Sequence, residues 1–312
     1  MDTNCPQLSQ IVATSDRKAV LAEIKKIFLY HYSRRGFRSI KKNAALLQKL
    51  FEGKFAGYRA CNTEYHNLSH TMDAALASAR LIDGYNIINQ TLSERTAINL
   101  LNAALFHDTG YIQESWDTEG TGAKYTSVHV ERSVAFLESN QHTFRLARND
   151  ISTIANLIRC TGLSVEIENI PFSSEEDQYA GCILGTSDIL GQMADRAYLE
   201  KLIFLYYEFS EANIQGFSSE FDLLRKTVDF YDITKKRMAD AYRNVFIYAR
   251  HHFKKRYGID KNLYIEAIDR HMDYLRKIIE DETTNFRHKL KRGAWVHTHR
   301  GNGSAVKVKN AC

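Results

Sequence analysis

Only two prolines, Pro6 and Pro171, occur in 312 residues, and this scarcity constrains the fold more than any other feature. Proline lacks a backbone donor and breaks a helix interior, so a chain nearly free of it can run in long helices. Apolar residues recur at the matching three-to-four spacing almost throughout. Val20, Leu21, Ile24, Ile27 and Phe28 mark an amphipathic segment over 17–33, and a shorter one runs from Asn43 to Phe51. Further helices are expected over Glu64 to Ile82, over Glu94 to Phe106 behind Ser93, over Thr126 to Leu137, over Asn149 to Cys160, and from Glu175 onward to Glu280. Gly110 is expected to close the helix before it with a left-handed cap. No alternating strand pattern and no repeat of 20–50 residues stands out. The expectation is an all-α fold with a single compact domain over 17–292, extra helices at both ends, a flexible N-terminus over 1–16, and a basic flexible tail over 293–312. The polar stretch Gln113 to Lys124, with Gly120 and Gly122, reads as a mobile loop.

Apolar residues make up 44% of the chain, enough for a sizeable core. The five cysteines (Cys5, Cys61, Cys160, Cys182, Cys312) are odd in number and scattered, with no C-x-x-C. That pattern argues against a disulfide framework or a zinc ribbon and points to a reducing compartment. No apolar run approaches a membrane span, and the start of the chain lacks the shape of a signal peptide, so a cytoplasmic protein without membrane contact is expected. The net charge of +5 belongs to the tail, since residues 285–312 hold seven basic residues and no acid, leaving 35 basic against 37 acidic elsewhere. A tail of this kind reads as a solvated end, and nucleic acid as an unlikely partner.

Chemistry is concentrated in four histidines between 66 and 129. His66 and His70 stand four apart, which on a helix places them on one face. His107-Asp108 follows an apolar run, and adjacent imidazole and carboxylate can serve one divalent ion. An ion held by three or four such ligands lowers the pKa of bound water, and a neighbouring imidazole can protonate a leaving oxygen. Phosphoester hydrolysis uses both functions. The signatures H-E-x-x-H, G-x-S-x-G, the P-loop, and the paired H-x-E and P-C-x-x-C of zinc deaminases do not occur. The run Ile203 to Phe209, rich in aromatics, reads as core rather than pocket lining.

Ala104-Leu105-Phe106-His107-Asp108-Thr109-Gly110 resembles the signature of the HD superfamily of metal-dependent phosphohydrolases. Tyr65-His66-Asn67-Leu68-Ser69-His70 resembles the H-N-x-x-H motif of its class I cyclic-nucleotide phosphodiesterase branch. Leu157 to Ser164 and Gly185 to Leu190 are similar to two later segments of that branch, and the likeness covers roughly residues 60–210. The resemblance implies that His66 is the proton donor and that His70, His107, Asp108 and Asp188 hold a transition metal (Zn, Mn or Fe). Asp108 would also bridge to a second ion, Mg or Mn, through the attacking hydroxide. Asp188 is preferred to Asp195 because it sits in an apolar helix, whereas Asp195 adjoins Arg196 at an expected surface break. His129 and Glu131 lie where family members place residues around a second metal, although His129 reads equally as an ordinary helix histidine. Asn67 is expected to support the helix or touch phosphate, and Thr161 to touch substrate or close its helix.

Two departures shape the expected substrate. Thr109-Gly110-Tyr111 replaces the Asp-His that follows in the phosphodiesterases, which is closer to the general HD pattern. After Gln192 only Gln215 remains, in a loop-like context, so the branch's purine-holding glutamine has no counterpart. The expected activity is therefore hydrolysis of a phosphodiester or phosphomonoester of a nucleotide, with a homodimer as the candidate assembly. The alternatives are a metal-containing nucleotide sensor or scaffold without turnover, and a di-iron oxygenase of the HD type.

Overall fold

The computed structural model describes residues 6–281 and 283–292. Thirteen α-helices follow in order: α1 (Leu8–Ile11), α2 (Arg17–Phe28), α3 (Arg34–Phe51), α4 (Leu68–Ile88), α5 (Glu94–Phe106), α6 (His129–Ser139), α7 (Gln141–Phe144), α8 (Arg148–Arg159), α9 (Glu175–Met193), α10 (Tyr198–Glu211), α11 (Glu220–Ala239), α12 (Tyr248–Tyr257) and α13 (Leu263–Glu280). Short 3-10 turns link several of them, and two isolated backbone bridges are the only strand-like pairings among the described residues. The fold is all-α.

Helix starts follow side-chain chemistry. Asp16, Ser33, Asn67, Ser93, Ser174, Ser219 and Asn262 each accept hydrogen bonds from the first-turn amides of the helix they open, satisfying donors that the helix itself leaves unpaired. Along α3, Phe37, Ile40, Ala44, Leu47, Leu50 and Phe51 form the buried stripe, and full burial of each large side chain is worth about 1.5–3 kcal/mol.

Helix α4 is the axis of the molecule. It is buried on nearly every face and packs against α2, α5, α9 and α12. Small residues let the partners close in. A Cβ on Gly191 of α9 would stand 2.9 Å from the Ala74 backbone nitrogen, and one on Gly84 would stand 1.8 Å from the Tyr248 carbonyl oxygen of α12. Asp83, buried on α4, accepts from His31 Nε2 and His252 Nδ1 at 2.7 Å each and from Arg256. This cluster ties the chain after α2 and the helix α12 to the central helix.

Several boundaries differ from the sequence expectation. The first long helix ends at Phe28, and the segment from Asn43 is the second half of a helix that begins at Arg34. Within the N-terminal stretch 1–16, expected to be flexible, Leu8–Ile11 form the short α1, which packs on α13; residues 1–5 and the tail 293–312 lie outside the described residues. Gly110 does not close α5 in a left-handed cap. A 3-10 turn follows instead, and the glycine is needed because a Cβ there would stand 2.0 Å from the His129 carbonyl oxygen. The stretch from Gln113 to Lys124, expected to be mobile, is pinned. Lys124 and Tyr125 bind the Asp117 carboxylate, Thr121 Oγ1 donates to Glu211 at 2.7 Å, and Asn62 holds Gln113 and the Gly122 amide.

Candidate metal centre

Three segments meet at the end of α4. Helix α4 begins at Leu68 rather than near Glu64, because the Asn67 side chain accepts from the amides of Ser69 and His70 and sets the cap there. His70 is therefore in the first turn, and His66 lies before the helix in a bent stretch over residues 64–67. The expected shared helical face does not form, yet both imidazoles reach one site, with ring centroids 6.1 Å apart. His107 and Asp108 follow the last residue of α5, where Ser133 of α6 fixes the turn by donating to the His107 carbonyl at 2.5 Å and accepting from the Gly110 amide at 2.8 Å. Asp188 projects from α9.

Four candidate ligand atoms converge. His70 Nε2 is 3.2 Å from His107 Nε2, 3.3 Å from Asp108 Oδ2 and 3.0 Å from Asp188 Oδ1. His107 Nε2 is 3.3 Å from Asp108 Oδ2 and 3.5 Å from Asp188 Oδ1. Tetrahedral ligands about 2.1 Å from a zinc-like ion stand about 3.4 Å apart, so these spacings suit a common cation. The chemistry points the same way. His107 Nδ1 donates to the Ala104 carbonyl at 2.8 Å, which in a neutral imidazole leaves Nε2 as a lone pair aimed at the cluster. Asp108 Oδ2 is buried with no hydrogen-bond donor. Burial works against both carboxylates, but the His107 and His70 imidazoles hold Asp108 and Asp188 well below the usual carboxylate range. Burial likewise opposes charge on His107, yet Asp108 and Asp188 push it well above its ordinary value. The cluster attracts positive charge, and His70, His107 and Asp108 could hold a metal ion, with Asp188 Oδ1 beside both imidazoles.

Beside the cluster stands a second device. His66 Nδ1 lies 2.6 Å from Glu208 Oε2 on α10, and the other carboxylate oxygen accepts from the Tyr65 amide at 2.7 Å. Burial opposes a charge on His66, but Glu208, with Asp108 and Asp188 behind it, raises the imidazole above its ordinary value. Its other nitrogen, Nε2, is 3.4 Å from the Tyr111 hydroxyl. Tyr111 stacks between His66 and His129, with centroids 4.3 and 4.7 Å apart. His129 therefore belongs to the ring stack beside His66, its Nδ1 donating to the Thr126 carbonyl at 2.7 Å.

The remaining expected residues have other partners. Glu131 turns to the surface and pairs with Arg159 at 2.8 Å. The Asn67 amide is occupied by the α4 cap and by the Glu64 carbonyl, and the Thr161 hydroxyl donates to Ile158 at the end of α8. Asp195, the alternative to Asp188, pairs with Lys201 outside the cluster. Three residues of the site were not anticipated: Glu208, Tyr111, and Gln192, whose amide donates to Asp188 Oδ1 at 3.0 Å. A signal for Glu208 was present, a carboxylate inside the aromatic run read as core.

Residues 113–245 match the Npun_R2479-like family. The matched stretch includes His129, Asp188, Gln192 and Glu208 and ends short of the His66–Asp108 half of the site. No curated protein matches the chain.

Proposed function

We propose that this chain is a metal-dependent phosphohydrolase of the HD type, acting on a phosphodiester or phosphomonoester of a nucleotide. The observation that carries the reading is the convergence of His70 Nε2, His107 Nε2 and Asp108 Oδ2 within 3.2–3.3 Å of one another, with Asp188 Oδ1 3.0 and 3.5 Å from the two imidazoles and with Asp108 Oδ2 buried and lacking a donor. His70, His107, Asp108 and Asp188 are the residues to hold the ion. A divalent ion there supplies an activated water near neutral pH and screens phosphoryl charge. The protein's own groups do the rest. Glu208 accepts the Nδ1 proton of His66 and fixes the ring, so Nε2 can hold a proton for the leaving oxygen. The ring of Tyr111, stacked on one face of His66 and backed by His129, keeps that imidazole in plane and excludes water from that face. Ser133 and Gln192 hold the ligand-bearing turn and the Asp188 carboxylate in place.

The test is metal analysis of protein purified without chelators, together with assays on bis-p-nitrophenyl phosphate and a panel of nucleotide phosphoesters. Wild type should carry a stoichiometric transition metal and turn over at least one substrate. Asp108→Ala should lose both, and retention of metal and rate by the variant overturns the reading.

A further inference from the structure

A separate cavity lies at the corner between α9 and α10, covered by α1 and walled by α13. Its volume is about 370 Å³, within the range of small-molecule sites. Among the described residues three arginines line it, Arg196 from the corner, Arg270 from α13 and Arg292 from the last described stretch, and no acidic residue does. Neutralisation from nearby is weak. Arg270 reaches Glu266 only at 3.7 Å, longer than a hydrogen bond. Among the described residues the guanidinium groups of Arg196 and Arg292 pair with no acid. Arg292 spends its backbone amide on Glu200 and reaches the Arg196 carbonyl at 3.4 Å. At the back of the cavity His271 donates Nδ1 to the Met193 carbonyl at 2.9 Å, which leaves Nε2 as a further polar group. The half-exposed ring of Tyr274 supplies an apolar wall.

Like charges gathered around one concavity repel each other unless an anion sits among them. Guanidinium forks match phosphate oxygens in charge and geometry. We infer that this cavity binds a phosphate-bearing small molecule at a site distinct from the metal centre. A half-open concavity rimmed by three exposed arginines suits a compact oligophosphate, whereas an extended polyanion calls for a flat basic surface. The inference does not depend on the proposed hydrolysis, because none of the lining residues belongs to the metal cluster.

The experiment is isothermal titration of the full chain with pyrophosphate and with ATP, in EDTA so that the metal centre cannot hold the probe. Wild type should bind at least one of the two with a stoichiometry near one. Affinity equal for both assigns recognition to the phosphates alone, and tighter ATP binding adds a base contact at Tyr274. The exposed pair Arg196→Gln and Arg270→Gln together should weaken binding at least tenfold, whereas His70→Ala should leave it unchanged. A circular-dichroism spectrum matching wild type confirms that the double variant is folded. Absence of binding by wild type, undiminished binding by the folded arginine variant, or loss of binding in His70→Ala overturns the inference.

Discussion

At the scale of single residues, the site depends on charges that only distant neighbours make sense of. In the proposed reaction His66 would serve as the proton donor because Glu208, 142 positions away, holds it at 2.6 Å. His66→Ala should lower kcat by about 10²–10⁴-fold on substrates with a sugar-alkoxide leaving group. The loss should be far smaller with p-nitrophenolate, which departs without a proton, and equal losses on both substrates would remove His66 from the acid role. Glu208→Gln tests the same pair by pH. The carboxylate raises the imidazole, so the acid form persists below that raised value and is lost as pH climbs through it. Removing the carboxylate lowers the value, so the alkaline limb of the kcat profile should move to lower pH, and an unmoved limb would reduce Glu208 to a packing residue. The sequence made His107 and Asp108 legible because they are adjacent, and Asp188 because a carboxylate inside an apolar helix is anomalous. It hid Glu208 among aromatics and made Asn67 and Thr161 look chemical, when their side chains are used by helix ends. Short polar side chains satisfy local backbone before anything else, and nothing in a motif distinguishes the two uses.

Helices deliver the ligands through their ends and their crossings, and the crossings decide the geometry. Periodicity revealed which segments are helical, since a 3.6-residue repeat is a local property. It misjudged where α4 starts, because the cap at Asn67 outweighs the apolar pattern that runs back toward Glu64. The spacing of four between His66 and His70 therefore had the right consequence for the wrong reason: the two rings meet because the bend over residues 64–67 brings His66 beside the first turn. The approach of α9 to α4 was not readable at all. It rests on Gly191, where a side chain would meet the Ala74 and Asp73 backbone, and a glycine in a helix reads from sequence only as a weak position. Gly191→Val should push the helices apart at a cost of about 1–3 kcal/mol. The same displacement should open the 3.0 Å gap between His70 and Asp188 and weaken metal binding. Competition with a chromophoric chelator measures this, and an affinity equal to wild type would separate helix packing from ligand placement.

For the whole molecule, the proposed metal centre would act as a clasp between parts of the chain that share no local sequence signal. Its donors come from the start of α4, the turn after α5 and the middle of α9, and His66 is held in place from α10. The same long-range logic pins the stretch after Gln113, whose polar composition suggested mobility, because Glu211 lies 90 residues from the Thr121 it holds. Composition reports how many polar groups a segment has and says nothing about where their partners are. A clasp of this kind makes folding stability depend on the ion. Without it, two buried carboxylates and two imidazoles must share protons in place of a divalent charge. With it, free metal at a thousandfold over its dissociation constant stabilises the folded state by about 4 kcal/mol. For a chain of this length that corresponds to a rise in Tm on the order of 5–10 °C. The ligands bind metal only when deprotonated, and His107 is held well above the ordinary imidazole value, so the rise should be largest at alkaline pH and should shrink as pH falls through that raised value. Asp188→Asn removes one of the two negative charges while keeping the side-chain volume, so it should abolish most of the rise and leave the metal-free Tm within a few degrees of wild type. Differential scanning calorimetry with and without Zn, Mn or Mg at two pH values checks each part. A wild type indifferent to all three ions, or a variant that gains as much as wild type, would leave the cluster as a structural knot of histidines and acids with no metal to hold.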